Sequence, residues 1–198
     1  MSYSEFTISG VKQKFNIDTD ENTDLFSNVE EVEISELLKS TLEENVPLAL
    51  AISTEKARSE LIIAPILVEL RRFLHREISL FSGVDFNVNE KDGLSGTCDF
   101  IVSRSKEQLV LTAPIIMLVE AKNEDLKKGY GQCIAEMVAA RQFNQKNGIT
   151  FDFMYGVVTI GSIWHFLKLE KNTVYIDFSE YYINQVRKIL GILIHLTK

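Results

Sequence analysis

Gly96-Thr97-Cys98-Asp99-Phe100-Ile101-Val102 and, about twenty residues on, Ile115-Ile116-Met117-Leu118-Val119-Glu120-Ala121-Lys122 are the two segments whose reading decides this chain. Both are apolar runs bounded by turn residues, and both read as strands. Each carries acid where an ordinary core carries none. Unpaired charges are costly to bury, so Asp99 and Glu120 need an explanation. Glu120 and Lys122 are two residues apart, so on a strand both project from one face while Ala121 points away. Asp99 belongs on the neighbouring strand and reaches the same side.

A divalent cation supplies the explanation. Mg²⁺ or Mn²⁺ takes few protein oxygens and keeps water and substrate phosphate in the rest of its shell. Asp99 and Glu120 suffice as metal ligands. Such an ion polarises a phosphoryl oxygen and activates a bound water. Lys122 then orients or deprotonates that water, or stabilises charge on the phosphorane, and the residue types do not separate these roles. Asp125-Leu126-Lys127 repeats the acid-x-Lys spacing, but no apolar strand leads into it. The ordinary alternatives are Asp99 capping a turn and Glu120 with Lys122 as a solvated edge pair.

Outward from this segment the chain alternates helix and strand. Residues 6–11 and 15–17 read as a small strand pair, residues 18–33 as an acid-rich loop, and residues 34–44 as a helix ended by Pro47. A long helix is expected over residues 54–80, capped by Ser53 or Thr54 and kinked by Pro65 near residues 61–64. Strands follow at residues 84–88, 96–104 and 114–121. A helix over residues 129–147 opens with Gly129-Tyr130-Gly131-Gln132 and is closed by Gly148. Its Ala135, Ala139 and Ala140 allow close approach to a sheet, and Gln132 stands one turn before Glu136. Strands at residues 153–160, 163–169 and 174–178 and a helix at residues 180–196 complete the pattern. Glu170-Lys171-Asn172-Thr173 reads as a hairpin turn. The order predicts an α/β fold with a mixed sheet flanked by helices. His75, His165, His195 and Trp164 read as structural, and Tyr181 and Tyr182 as surface or interface residues.

The 198 residues are 45% hydrophobic and 25% charged, which suits one domain spanning 1–198. No apolar run approaches the roughly 18 residues that span a bilayer. The first residues lack a basic and then apolar leader, and the only cysteines, Cys98 and Cys133, lack metal-ligand spacing. A cytoplasmic protein with reduced core thiols, and without a membrane partner, is expected. Net charge is −7. Residues 1–45 hold three lysines against eleven acids, a net −8, which leaves +1 on residues 46–198. The acidity thus belongs to an N-terminal extension packed on the domain, and the remainder does not exclude a phosphate-bearing substrate.

Over roughly residues 55–170 the chain resembles the restriction-endonuclease-like superfamily, the metal-dependent PD-(D/E)xK nucleases. Cys98-Asp99 stands where that pattern has Pro-Asp, and Glu120-Ala121-Lys122 matches its acid-x-Lys. Gly131-Gln132 looks like the glutamine of the branch related to type I restriction subunits and recombination exonucleases, and residues 155–166 look like its following strand pair. Arg58-Ser59-Glu60 resembles the superfamily's helical glutamate. The resemblance implies a core of helix, three strands, helix and strands, and Mg²⁺- or Mn²⁺-dependent hydrolysis of DNA, with RNA as a second candidate. It makes Asp99, Glu120, Lys122, Glu60 and Gln132 the site residues. No target-recognition or helicase segment is recognisable, so a catalytically silent binding or assembly module is the competing reading. Cutting two strands needs two such sites, which a homodimer or partner subunit would supply.

Overall fold

Thr97–Ser103 and Ile115–Ala121, the strands that carry the acids, lie antiparallel within a mixed eight-stranded sheet. The structure, a computed structural model, describes residues 2–198. In chain order the elements are α1 (Ile8–Phe15), β1 (Asp18–Asp20), α2 (Glu36–Ile52), α3 (Glu55–Arg58) and, after a π-helical turn at Ser59–Ile63, α4 (Ala64–Phe73). Then come β2 (Ser79–Asp85), β3 (Thr97–Ser103), β4 (Ile115–Ala121), α5 (Leu126–Lys146), β5 (Phe153–Thr159) and β6 (Ile163–Glu170). The chain finishes with β7 (Thr173–Ile176), β8 (Tyr181–Tyr182) and α6 (Val186–His195). The sheet order is β1-β7-β6-β5-β4-β3-β2, with β8 paired to β6. β4 and β5 are parallel, and α5 is the crossover between them.

Alternation along β4 separates two cores. Val119 and Ala121 face a layer built from α2, α4 and α6, whereas Leu118 faces α5 and α1. Every residue of α5 from Gly129 to Ala140 is buried, because the helix is covered by the sheet on one side and the N-terminal section on the other. Small residues make this possible. A Cβ on Gly156 of β5 would lie 2.5 Å from Met137 Sδ and 2.7 Å from Cys133 Sγ of α5. One on Gly131 would lie 2.3 Å from the Phe6 carbonyl oxygen. Buried Asn144 ties the far end of α5 to β4, accepting from Ile115 N at 2.8 Å and donating to Ile115 O at 2.7 Å. Both cysteines are free and buried. No helix among the described residues is long and apolar enough to cross a membrane.

Several local expectations are corrected. Residues 8–15 are helical rather than part of a strand pair, because Thr7 caps α1 by accepting from Gly10 N. The segment read as loop contributes β1, which pairs with β7. Helix α2 runs through Pro47 to Ile52. Pro47 is exposed, so water can take the carbonyl its missing N–H leaves free. The helix after Thr54 ends at Phe73, not at residue 80, because His75 and Arg76 turn the chain with φ of 53° and 62° and release β2. The π-helical turn sits where Pro65 was expected to disturb the helix. The last helix starts only at Val186, since Tyr181 and Tyr182 pair with Trp164 and Ile163. Tyr181 is buried, not a surface residue, and donates to Asp177 Oδ2 at 2.8 Å.

Gly131→Ala drives a methyl group into backbone that cannot rotate away. It should lower the urea-denaturation free energy by about 1–3 kcal/mol, the usual range for overpacking.

Candidate active site

The register brings the sequence candidates into one row. Phe100 pairs with Val119, so the next step places Asp99 across from Glu120. Glu120 pairs with Val158, and Val158 with His165. Asp99 Oδ2 accepts from Ala121 N at 2.8 Å, which fixes the carboxylate against the end of β4. The Lys122 ammonium donates to Glu120 Oε1 and, at 3.3 Å, to Gln132 Oε1. Lys122 N also donates to Thr159 O at 2.8 Å, so the lysine backbone is held beyond the strand end by β5. Asp99, Glu120, Lys122 and Gln132 are thus gathered by β3, β4 and the first turns of α5.

Glu60 is not gathered with them. Its side chain is 63% exposed and pairs with Lys56 at 3.6 Å, one turn back on its own helix. Glu55, on the same helical segment, is the acid there whose charge helps hold up the Lys122 ammonium.

A further acid joins the cluster. Glu136 is fully buried on α5 and accepts from Gln132 Nε2 at 3.1 Å. The sequence holds its signal: Cys133-Ile134-Ala135-Glu136-Met137-Val138-Ala139-Ala140 is an apolar helix segment interrupted by one acid. The logic that singles out Asp99 and Glu120 therefore applies to Glu136 as well.

Three carboxylates share one ammonium in this low-dielectric space. Burial pushes the Glu120 carboxyl well above the usual carboxylate range, and Glu136 and Asp99 add to the shift against the pull of Lys122. Burial also raises Asp99, opposed by its bond from Ala121. Glu136 is pushed up to about 8, chiefly by burial. For Lys122, burial works to lower the ammonium, but Glu120, Glu55 and Asp99 outweigh it and the net shift is upward. Glu120 Oε2 and Glu136 Oε2 are buried and receive no nitrogen or hydroxyl donor; the Glu120 carboxyl shares a side-chain hydrogen bond with Asp99, and Glu136 with Cys98. A charged carboxylate so deeply buried is expensive, and either protonation or a bound cation removes that cost.

The row continues to His165. Tyr130 OH and His165 Nδ1 are 2.6 Å apart, and His165 Nε2 lies 3.3 Å from Glu180 Oε1. Burial lowers the His165 pKa, opposed by Glu180. Trp164 is fully buried and donates from its indole to Gly161 O at 2.9 Å. No protein-family model matches the chain, and no curated protein sequence matches it.

Glu136 sets the sign of a pH effect. The folded chain holds its proton up to about 8, against 4.5 for an ordinary glutamate. Between those values the folded state binds more protons, so stability falls as pH rises. Glu136→Gln removes this contribution. The variant should gain on the order of a few kcal/mol over wild type between about pH 5 and pH 8, read from urea denaturation at each pH. Equal pH slopes would show that Glu136 does not titrate in this window.

Proposed function

We propose that the chain is a metal-dependent nuclease-fold protein that hydrolyses phosphodiester bonds in DNA, of the restriction, defence or repair type. The observation that carries this reading is the meeting of Asp99 and Glu120 at the end of β4, where their carboxyls share a hydrogen bond, with the Lys122 ammonium beside them. Helix, antiparallel strands carrying the acids, crossover helix and following hairpin agree with the restriction-endonuclease-like core that the sequence resembles.

The donor set fits a hard cation with a small protein share. Among the described residues no group of three or more His, Cys, Asp or Glu side chains is arranged as a metal cage. Asp99 and Glu120 would hold Mg²⁺ or Mn²⁺ by two carboxylates, and water and substrate phosphate would complete the shell. When bound, the ion supplies polarisation of the phosphoryl oxygen and acidification of water. The chain's own residues do the rest. The Ala121 N–H fixes Asp99, and Gln132 steadies the Lys122 ammonium from the helix side. Lys122, kept charged by its acid neighbours, stabilises negative charge developing on the phosphorane. Buried Glu136 holds Gln132 from behind.

The second reading, a silent binding or assembly module, also has an observation in its favour. The Lys122 ammonium lies directly on Glu120 Oε1, as it would in a purely structural ion pair. Catalysis decides between them. Lys122→Ala should retain a cooperative thermal melt while Mg²⁺- or Mn²⁺-dependent cleavage of DNA falls by about 10²–10³-fold or more, the loss typical of one preorganised charge donor. Glu60→Ala should cleave within about twofold of wild type, because a solvated ion pair contributes little. Wild-type protein inert on varied DNA and RNA, with no heat of metal binding in calorimetry, favours the silent module.

A further inference from the structure

Arg58 is the part of the Arg58-Ser59-Glu60 motif that the candidate site leaves unused. It lies at the end of α3 with 8% of its surface exposed, and among the described residues it forms no ion pair with an acid. Its protein partner is a carbonyl: Nη1 donates to Ile160 O at 2.9 Å, while Nε is buried without a partner. A buried guanidinium without a carboxylate works against the fold, and an apolar side chain of similar length would avoid that. Stability alone therefore does not account for an arginine at this position.

What the guanidinium holds is the turn between β5 and β6, residues 160–162. The same turn is gripped from other sides. Thr159 Oγ1 donates to Ile163 O at 2.8 Å and accepts from Gly161 N at 2.9 Å. The Trp164 indole donates to Gly161 O at 2.9 Å, and Ile183 N donates to Ser162 O at 2.9 Å. A Cβ on Gly161 would lie 3.5 Å from Arg58 Cβ, so the helix packs closely on the turn. The turn in turn adjoins the candidate active site. Thr159 pairs with Ala121, and Thr159 O accepts from Lys122 N at 2.8 Å. Lys122 is the first residue past β4, so this bond sets where its side chain leaves the sheet. Contacts thus run without a break from Arg58 through Ile160 and Thr159 to Lys122.

We propose that Arg58 is a positioning residue for Lys122: by binding Ile160 O it fixes the β5–β6 turn, and through Thr159 the turn seats the lysine backbone so that its ammonium meets Glu120. This rests on the nuclease reading above and adds to it a residue that acts without touching substrate.

The test compares wild type with Arg58→Met and Arg58→Lys by two readouts: hydrogen exchange of the Lys122 amide, followed by NMR, and steady-state Mg²⁺-dependent cleavage of DNA. Arg58→Met removes both the charge and the donor, and should keep a cooperative melt near the wild-type temperature. Its Lys122 amide should exchange on the order of tenfold faster, as expected when a hydrogen bond from a charged group is lost nearby. Its kcat should fall by about 10- to 100-fold with KM within about twofold of wild type, since a misplacement of about 1 Å has effects of that size. Arg58→Lys keeps a charged donor and should recover part of both losses. Thr159→Val loosens the same turn without touching Arg58 and should show the same pair of changes, which keeps the test open if Arg58→Met does not fold. Wild-type exchange in Arg58→Met, with wild-type cleavage intact, overturns the positioning role and leaves the nuclease reading standing. A rise in KM at unchanged kcat also overturns it, since Arg58 then binds substrate. Wild type that does not cleave overturns both the nuclease reading and the part given to Arg58 in it.

Discussion

Glu120 is fully buried, and among the described residues Lys122 is the cation paired with it. It ends a fully buried strand, faces the crossover helix, and shares its surroundings with Asp99 and Glu136. Charge in so small an apolar volume must be paired, protonated or ligated. The Lys122 ammonium takes one oxygen, and Asp99 shares a side-chain hydrogen bond with the same carboxyl. The neighbouring structure is arranged around that constraint: Ala121 N–H on Asp99, Gln132 against Lys122, and α5 drawn close by glycines at 129, 131 and 156.

The same closeness explains the acidic N-terminal section. It is not an appendage floating in solvent. Tyr3, Phe6, Val11 and Ile17 are buried in the core on the α5 side of the sheet, and the Phe6–Thr7 backbone rests on Gly131. On the opposite side of the sheet, the Glu30 carbonyl would lie 2.2 Å from a Cβ on Gly191 of α6. The section's acids lie mostly exposed to solvent.

Much of this was legible from residue types. Apolar runs bounded by turns placed β3, β4, β5, β6 and the hairpin before β7, and the acid inside each of the first two runs pointed to the cluster of Asp99, Glu120 and Lys122. Where the reading failed, a local choice depended on tertiary context. His75 gives only a weak hint of a left-handed turn and Arg76 none, since arginine rarely adopts that conformation. Pro47 ends a helix by propensity but is tolerated on an exposed face where water replaces the lost partner. Phe6 to Ile17 fits a strand pair as well as a helix until Thr7 is seen to cap it. Glu60 is a site residue by resemblance alone; it sits in the π-helical turn, exposed and paired with Lys56. Glu136 reads as part of a polar helix face beside Gln132 and Arg141, although the acid itself interrupts a wholly apolar stretch.

The central claim is that the Asp99–Glu120 pair is built for a cation and not for Lys122 alone. A crystal soaked in Mn²⁺ and measured at the manganese absorption edge tests it directly. The account expects an anomalous peak bonded to a carboxylate oxygen of Asp99 and to Glu120 Oε2, at about the 2.0–2.2 Å typical of a small divalent ion on oxygen. Absence of a peak at millimolar manganese, with the Lys122 ammonium still seated on Glu120, would contradict it.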